Sequence, residues 1–258
     1  MSVLIHCVDK DKEMEAEILS HKKGVFLDVA LQNIKIKMAY NAQHKVYVGS
    51  MAGLEFTVKE VDIEDEANIP PGFIDRSQFE SIVKLAGSIP AGSDVLEIGV
   101  GFGRSTSAWL TGLKECNLYI LDYWEHTKIH QGIYDGMKKF QINEDDWKKI
   151  KNLNSHYASW KFFVRKHPNH RQIKKVFSMT SQNYRRAKLK KSYHCVYIDD
   201  DHDPKEVTLL LKYFQECKII CGDDYNTAWP ELCQVIDTFS KEHNKQLTTE
   251  RNGFWQLT

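Results

Sequence analysis

Two groups of acids follow apolar runs in this chain. Tyr193 to Ile198 leads into Asp199-Asp200-Asp201-His202, and Lys218 to Cys221 leads through Gly222 into Asp223-Asp224. If the runs are neighbouring strands of a parallel sheet, they lie about 4.8 Å apart and their carboxylates converge. Folding alone accounts for Asp203. The stretch Asp203-Pro204-Lys205-Glu206 reads as a helix start, with an N-cap, a proline at the first helical position and an acid at the third. Asp199, Asp223 and Asp224 have no such explanation. Three converging carboxylates repel unless protons or a cation intervene, and an all-oxygen ligand set selects Mg²⁺, Mn²⁺ or Ca²⁺ over zinc. Mg²⁺ is the expected ion. Such a site can stabilise an ionising hydroxyl, and Asp199 and His202 are the candidates for the base that takes its proton.

A second constellation lies upstream in Val95-Leu-Glu-Ile-Gly-Val-Gly-Phe-Gly-Arg-Ser-Thr106. An apolar run enters Gly99-x-Gly101-x-Gly103, where glycines permit a tight turn and close approach of a ligand to the backbone. The helix start that follows offers free N–H groups to an anion, and Ser105 can add a hydroxyl. A dinucleotide loop reads G-x-G-x-x-G, but the sixth position from Gly99 is Arg104. Glu97 would also oppose a pyrophosphate, whereas it suits a ligand carrying an ammonium and a sulfonium. The expected cofactor is therefore S-adenosyl-L-methionine. Asp122 ends the run Asn117–Asp122, 19 residues beyond Gly103, and a carboxylate there can accept both hydroxyls of a ribose.

These groups need strands to place them. From residue 74 the order is helix, strand, helix, strand: a helix over 74–87, strands at 94–98, 117–121, 175–178, 193–198 and 218–221, helices at 105–113, 204–216 and 230–242, and a closing β pair at 246–249 and 253–258. That alternation implies a mainly parallel sheet covered on both faces, with ligands beyond the carboxyl ends of its strands. Residues 125–173 interrupt it, with helical pieces at 133–140 and 146–150, and read as a lid or recognition element. Trp124, His126, His130 and Tyr134 are its candidate acceptor contacts, and Tyr225 is another beside the acids. Its lysines read as a solvated face. Before Ile69-Pro70-Pro71-Gly72 come period-two runs at 25–29, 34–38, 45–48 and 54–58, which read as a small antiparallel β segment over 1–69, a cover or a contact in a homo-oligomer.

The segment from about 70 to 258 resembles a class I S-adenosylmethionine-dependent methyltransferase, and within that superfamily the macrocin- and cephalosporin-type O-methyltransferases. The resemblance rests on VLEIGVGFGRST (95–106), LDYW (121–124), YIDDDHDPKEV (197–207) and CGDDY (221–225), in the family's order and spacing. At the fourth strand the family pattern is closer to IDGDH, so Asp200 replaces a glycine. The resemblance implies a Rossmann-like doubly wound, mainly parallel seven-stranded sheet with an antiparallel C-terminal strand, spanning 70–258. It implies that Glu97, Gly99, Gly101, Gly103 and Ser105 hold the methionine part, Asp122 the ribose, and Thr180 and Ser181 lie against the adenine. It also implies methyl transfer to a hydroxyl of a sugar or other polyhydroxylated small molecule. N-methyl transfer, catechol-type O-methyl transfer and a non-catalytic nucleoside-binding subunit are the competing readings.

The composition limits the partners. Lys+Arg and Asp+Glu are both 35, so no global field draws the chain to nucleic acid or an anionic membrane. With 42% hydrophobic and 27% charged residues it is not a mainly disordered chain. No apolar run reaches membrane-spanning length and no signal-like start is visible. The six cysteines match neither a CxxC nor a zinc spacing. The expectation is a cytoplasmic protein with reduced thiols and a small-molecule or glycan acceptor.

Overall fold

The computed structural model describes residues 2–22, 24–32, 34–59, 70, 72–124, 148, 153, 155–200 and 203–258. The chain divides into two compact units, Met1–Ile69 and Pro70–Thr258.

The first unit is a closed six-stranded antiparallel barrel: β1 (Ser2–Cys7), β2 (Lys12–Lys22), β3 (Phe26–Leu31), β4 (Ile34–Asn41), β5 (Val46–Met51) and β6 (Leu54–Lys59). Strand β1 pairs with both β2 and β6, which closes the ring. Alternate residues point inward. Leu27, Val29, Ile36, Met38, Tyr47, Phe56 and Val58 form its core with Ile5 of β1, as the period-two runs require. The β-rich segment is thus present, with two strands more than the alternation indicated. In β2 the outward positions are Glu13, Glu15 and Glu17 and the inward ones include only Met14, Ala16 and Ile18, so its apolar signal is weak.

The second unit is an α/β fold. Its elements are α1 (Arg76–Ser88), β7 (Asp94–Ile98), α2 (Arg104–Gly112), β8 (Asn117–Asp122), α3 (His156–Val164), β9 (Ile173–Ser178), α4 (Ser181–Arg186), β10 (Cys195–Ile198), α5 (Pro204–Tyr213), β11 (Ile219–Gly222), α6 (Pro230–Glu242), β12 (Leu247–Thr249) and β13 (Trp255–Leu257). The mixed seven-stranded sheet has the order β12-β13-β11-β10-β7-β8-β9. Five central strands are parallel, while β13 pairs antiparallel with both β11 and β12. Chain order reverses at β7, between β8 and β10, which opens a crevice at the carboxyl ends there.

Local chemistry explains the starts of the helices. Asp75 caps α1 in a reciprocal capping box with Gln78, and Asp203 caps α5 ahead of Pro204, as the sequence indicated. One face of the sheet buries Leu96, Ile98, Val196 and Ile220 against Leu210, Leu211, Ile236 and Phe239 of α5 and α6. At roughly 1.5–3 kcal/mol per buried large aliphatic or aromatic side chain, this packing holds the strand ends in register. Helices α3 and α4 lie outside the alternation read from sequence. The expected helical pieces at 133–140 and 146–150 lie outside the described residues, apart from Lys148. All six cysteines are free thiols, and no helix among the described residues is long and apolar enough to cross a membrane.

Candidate active site

The turn after β7 is built by glycine. Gly99, Gly101 and Gly103 all have positive φ, at 78°, 50° and 101°, a region that side chains with a Cβ rarely adopt. Two of them also lack room. A β-carbon on Gly99 would lie 1.8 Å from the Asp199 carbonyl oxygen. One on Gly103 would lie 2.8 Å from Val164 and 3.0 Å from Trp160 of α3. Gly103 is the N-cap of α2 and has no side chain to cap it, so the first N–H groups of that helix keep their capacity to donate.

Asp122 braces this loop. One carboxylate oxygen accepts from the Val100 and Gly101 N–H groups at 2.8 and 3.2 Å, and the other from Trp124 N–H at 2.7 Å. Sequence reading assigned Asp122 to a ribose; the structure places its carboxylate at the cleft and engages both oxygens with backbone. Those hydrogen bonds pull the glycine loop toward the end of β8.

Glu97 is fully buried under the loop, and among the described residues neither of its oxygens has a partner of proper hydrogen-bond geometry. Burial pushes its carboxyl up to about 8, against the pull of the nearby Ser105 and Thr106 hydroxyls and with a further push from the charge of Asp122. Tyr197, opposite Glu97 in the β7–β10 register, is buried too, and its hydroxyl has no partner among the described residues. A buried, unpaired carboxyl costs several kcal/mol unless something polar meets it, which marks the floor of this loop as a place built for a polar ligand.

Asp199 follows β10, and Asp223 and Asp224 follow β11. Carboxylate oxygens of the three lie within 4.8 Å of one another. Burial, then the charges of Asp223 and Asp224, holds the Asp199 carboxyl well above the usual carboxylate range. The cluster is held from behind, where Trp255 Nε1 donates to the Asp223 carbonyl at 2.9 Å. The left-handed residues next to it are Gly99 and Asp224, with φ of 60° for the latter. Asp200, which stands where the family pattern has glycine, is not among them.

A cleft of about 400 Å³ joins these parts: Gly99 to Phe102, Arg104 and Ser105 on one wall, Asp199, Asp200, Asp223 and Asp224 on another, and Gly72, Phe73 and Ile74 across the mouth. A second cleft of about 330 Å³ is lined by Met179, Thr180, Ser181 and Gln182, and shares Asp122 and Asp200 with the first. Both volumes are in the range of small-molecule sites.

The other sequence candidates are placed differently. Thr180 caps α4 through its hydroxyl, and the Ser181 hydroxyl donates to Glu206, so both line the second cleft while serving the fold. Trp124 packs against Tyr157 and Trp160 at ring separations of 4.8 and 5.2 Å. Tyr225 donates its hydroxyl to Asp237 of α6 at 2.8 Å and packs on the core. His126, His130, Tyr134 and His202 lie outside the described residues. Sequence reading missed Gly72, Phe73, Ile74 and Tyr197. Phe73 is half exposed at the cleft, 6.2 Å from the Phe102 ring, and nothing in its local pattern separates it from a linker residue.

Residues 96–219 match a sequence family described as a methyltransferase domain. That stretch, just under half of the chain, is similar to a methyltransferase domain. The match begins inside β7 and takes in the glycine loop, Asp122 and Asp199, and it ends at the start of β11, short of Asp223 and Asp224. No curated protein matches the chain in sequence. Among solved structures, the chain resembles the O-methyltransferase from Bacillus cereus in complex with SAH, at 13% identity over 77% of this chain and 88% of that one, with a TM-score of 0.47. It also resembles cofactor-bound Rv0187 from MTB (15% identity, 76% and 85% coverage, TM-score 0.48). A third likeness is to the O-methyltransferase TomG from Streptomyces achromogenes, which is involved in tomaymycin synthesis and was solved with SAM (12% identity, 71% and 79% coverage, TM-score 0.46).

Proposed function

We propose that this chain uses S-adenosyl-L-methionine to methylate a hydroxyl of a sugar or other polyhydroxylated small molecule, with a divalent cation held by Asp199, Asp223 and Asp224. The observation that carries the reading is that one cleft is walled by the glycine loop on one side and by the three carboxylates on the other.

The residues present fit both groups. An orphaned carboxyl beneath a loop of left-handed glycines suits a cationic ligand pressed against backbone, and a ligand ammonium would give Glu97 the partner it lacks. Three carboxylate oxygens within 4.8 Å also suit one ion: two oxygens bound at about 2.1–2.4 Å can be no more than about 4.2–4.8 Å apart. When bound, the sulfonium cofactor supplies the electrophilic methyl and the cation lowers the cost of ionising a hydroxyl beside it.

The chain's own part is positioning and proton control. Asp122 fixes the glycine loop by two backbone hydrogen bonds, and Gly99 allows that loop to touch the Asp199 carbonyl. The two halves of the cleft therefore keep a fixed separation, which is what an in-line transfer needs. Burial beside Asp223 and Asp224 favours the protonated form of Asp199; a cation held there would favour the ionised form, and an ionised Asp199 could take the proton of an acceptor hydroxyl. His202 is the other candidate base.

Purified protein mixed with cofactor, Mg²⁺ and panels of glycans and phenols, read by mass spectrometry, tests the reading. Methyl addition to a polyhydroxylated acceptor that chelator abolishes and Mg²⁺ or Mn²⁺ restores is the expected result. Transfer only to amines or catechols would replace the acceptor class. Full activity in excess chelator would remove the cation, and no transfer with micromolar cofactor binding would leave a binding subunit.

A further inference from the structure

Charge in this chain balances overall but not locally. Residues 155–198, which form α3, β9, α4 and β10, contain eleven Lys and Arg and no Asp or Glu. Two of the eleven are neutralised from outside the segment: Arg185 pairs with Glu206 at 2.6 Å, and Lys190 pairs with Asp94. The other nine have no carboxylate partner among the described residues.

Strand β9 is the edge of the sheet, and lysines on an edge strand discourage pairing with another chain. That accounts for Lys174 and Lys175. It does not account for Arg165, Lys166, Arg171, Arg186, Lys188 and Lys191, which are exposed and lie outside the strand. Concentrating that much like charge is unfavourable unless a polyanion meets it.

Half-buried rings lie among its cations, with Tyr157 exposed. Lys166 lies 3.9 Å from the Phe162 ring centre and Lys161 lies 5.6 Å from that of Tyr157, with Phe163 edge-on to Phe162 at 5.2 Å. Cations for phosphates beside rings for bases are the elements of a single-strand platform. An acidic polysaccharide has no flat π faces to use those rings. A lipid surface needs exposed apolar anchors, and Tyr157 is the sole large exposed apolar side chain among the described residues of this segment.

None of the lysines and arginines of this segment lines either cleft, although α3 packs on Gly103 of the glycine loop and the first residues of α4 line the second cleft. Lys190 pairs with Asp94, the first residue of β7, and Gln172, next to Arg171, bonds the Leu113 carbonyl and the Cys116 N–H ahead of β8. Both contacts are at the amino ends of the strands. The glycine loop and the acids are at the carboxyl ends, about 13 Å away at about 3.3 Å per residue of β7.

We propose that the acid-free edge formed by α3, β9, α4 and the loops joining them is a docking surface for single-stranded nucleic acid, adjoining the methyl-transfer cleft but with none of its cations in it. It departs from the expectation of a solvated face for the lysines of 125–173, of which Lys161 and Lys166 belong to this surface, and it stands whether or not the proposed acceptor class is right.

Fluorescence anisotropy of the full chain with labelled 20-nucleotide oligouridylate and oligothymidylate tests it. With about five phosphates contacted, the salt exponent is about −3.5, so Kd should rise roughly 100-fold between 50 and 200 mM salt. Changing Arg171, Lys174 and Arg186 together to Glu should weaken binding at least 30-fold. The milder change of the same three to Gln should weaken it about tenfold with an unaltered melting temperature. Lys205→Glu with Lys212→Glu, on α5, should leave it within twofold, and cofactor affinity should stay constant throughout. Absence of binding at 50 mM salt, or equal loss in the α5 variant, would overturn the proposal. Tighter binding to heparin fragments or phosphatidylserine vesicles than to either oligonucleotide would overturn the assignment to nucleic acid.

Discussion

Replacing Glu97 by Gln should stabilise the unliganded protein at alkaline pH and flatten its pH dependence. The carboxyl is buried with no well-aligned hydrogen-bond partner among the described residues, and burial raises its pKa from 4.5 to about 8 against the pull of Ser105 and Thr106. Between those values the folded state binds a proton that the unfolded state has released, so stability falls as pH rises. The contribution is complete below about 4.5 and is lost as pH climbs through 8. A shift of about 3.5 units corresponds to about 5 kcal/mol over the whole range, and about 3–4 kcal/mol of it falls between pH 5 and pH 8. Glutamine keeps the shape without the ionisation. Urea denaturation of wild type and Glu97→Gln at pH 5, 6, 7 and 8 gives the difference directly, because the ionisation of Asp199 is common to both. The variant should be about as stable as wild type at pH 5 and more stable by several kcal/mol at pH 8. Parallel pH curves for the two proteins would refute the argument, since Glu97 would then ionise normally. A cationic cofactor should reverse the preference by holding Glu97 ionised. At pH 7, its binding to wild type should release close to one proton, measured by calorimetry in buffers of different ionisation enthalpy, and its binding to Glu97→Gln should release less.

Three other outcomes follow from the geometry. Gly99→Ala should be destabilised by several kcal/mol and lose measurable cofactor binding, because the new carbon meets the Asp199 carbonyl at 1.8 Å and φ is 78°; a melting temperature within 2 °C of wild type would contradict it. Asp122→Ala removes three hydrogen bonds from backbone N–H groups to a carboxylate, each worth about 1.5–3 kcal/mol. Denaturation should show a loss of at least about 2 kcal/mol even without cofactor, whereas a residue serving a ribose alone would leave the free protein unchanged. Tyr225→Phe should cost about 1 kcal/mol of stability through the lost bond to Asp237 and leave acceptor kinetics unaltered, so a KM change above threefold would restore Tyr225 to the acceptor site.

The parallel strands were legible because each is a short apolar run that stops at a group with no place in a core: Glu97-Ile98 at Gly99, Leu121 at Asp122, Ile198 at Asp199, Cys221-Gly222 at Asp223. A strand buried on both faces leaves that kind of boundary in the sequence. The acids at two such boundaries were paired correctly, since neighbouring parallel strands share their carboxyl end. Strand β2 was harder to see, because its glutamates alternate with small or weakly apolar residues, and α4 spans only six residues, too few to show a helical period. Hydrogen-bond partners were not legible at all. Whether Asp122 faces a ribose or the N–H groups of the next turn depends on ångström-scale placement of a loop, as does the direction of the Tyr225 hydroxyl. Phe73 reaches the cleft only because the chain approaches α1 across its mouth, a path that no local pattern encodes.

The contact between Gly99 and the Asp199 carbonyl bears on how this protein can change. Neither partner can move without the other, so drift in the cofactor loop is transmitted to the acids, and a lineage exploring new acceptors would gain little by altering either. Phe73 is under no such constraint: half exposed, it borders the same cleft from a connecting segment, and its side chain can vary in size without touching that contact. Directed evolution toward a different acceptor should accumulate its early substitutions there, while the two strand ends behind them stay as they are.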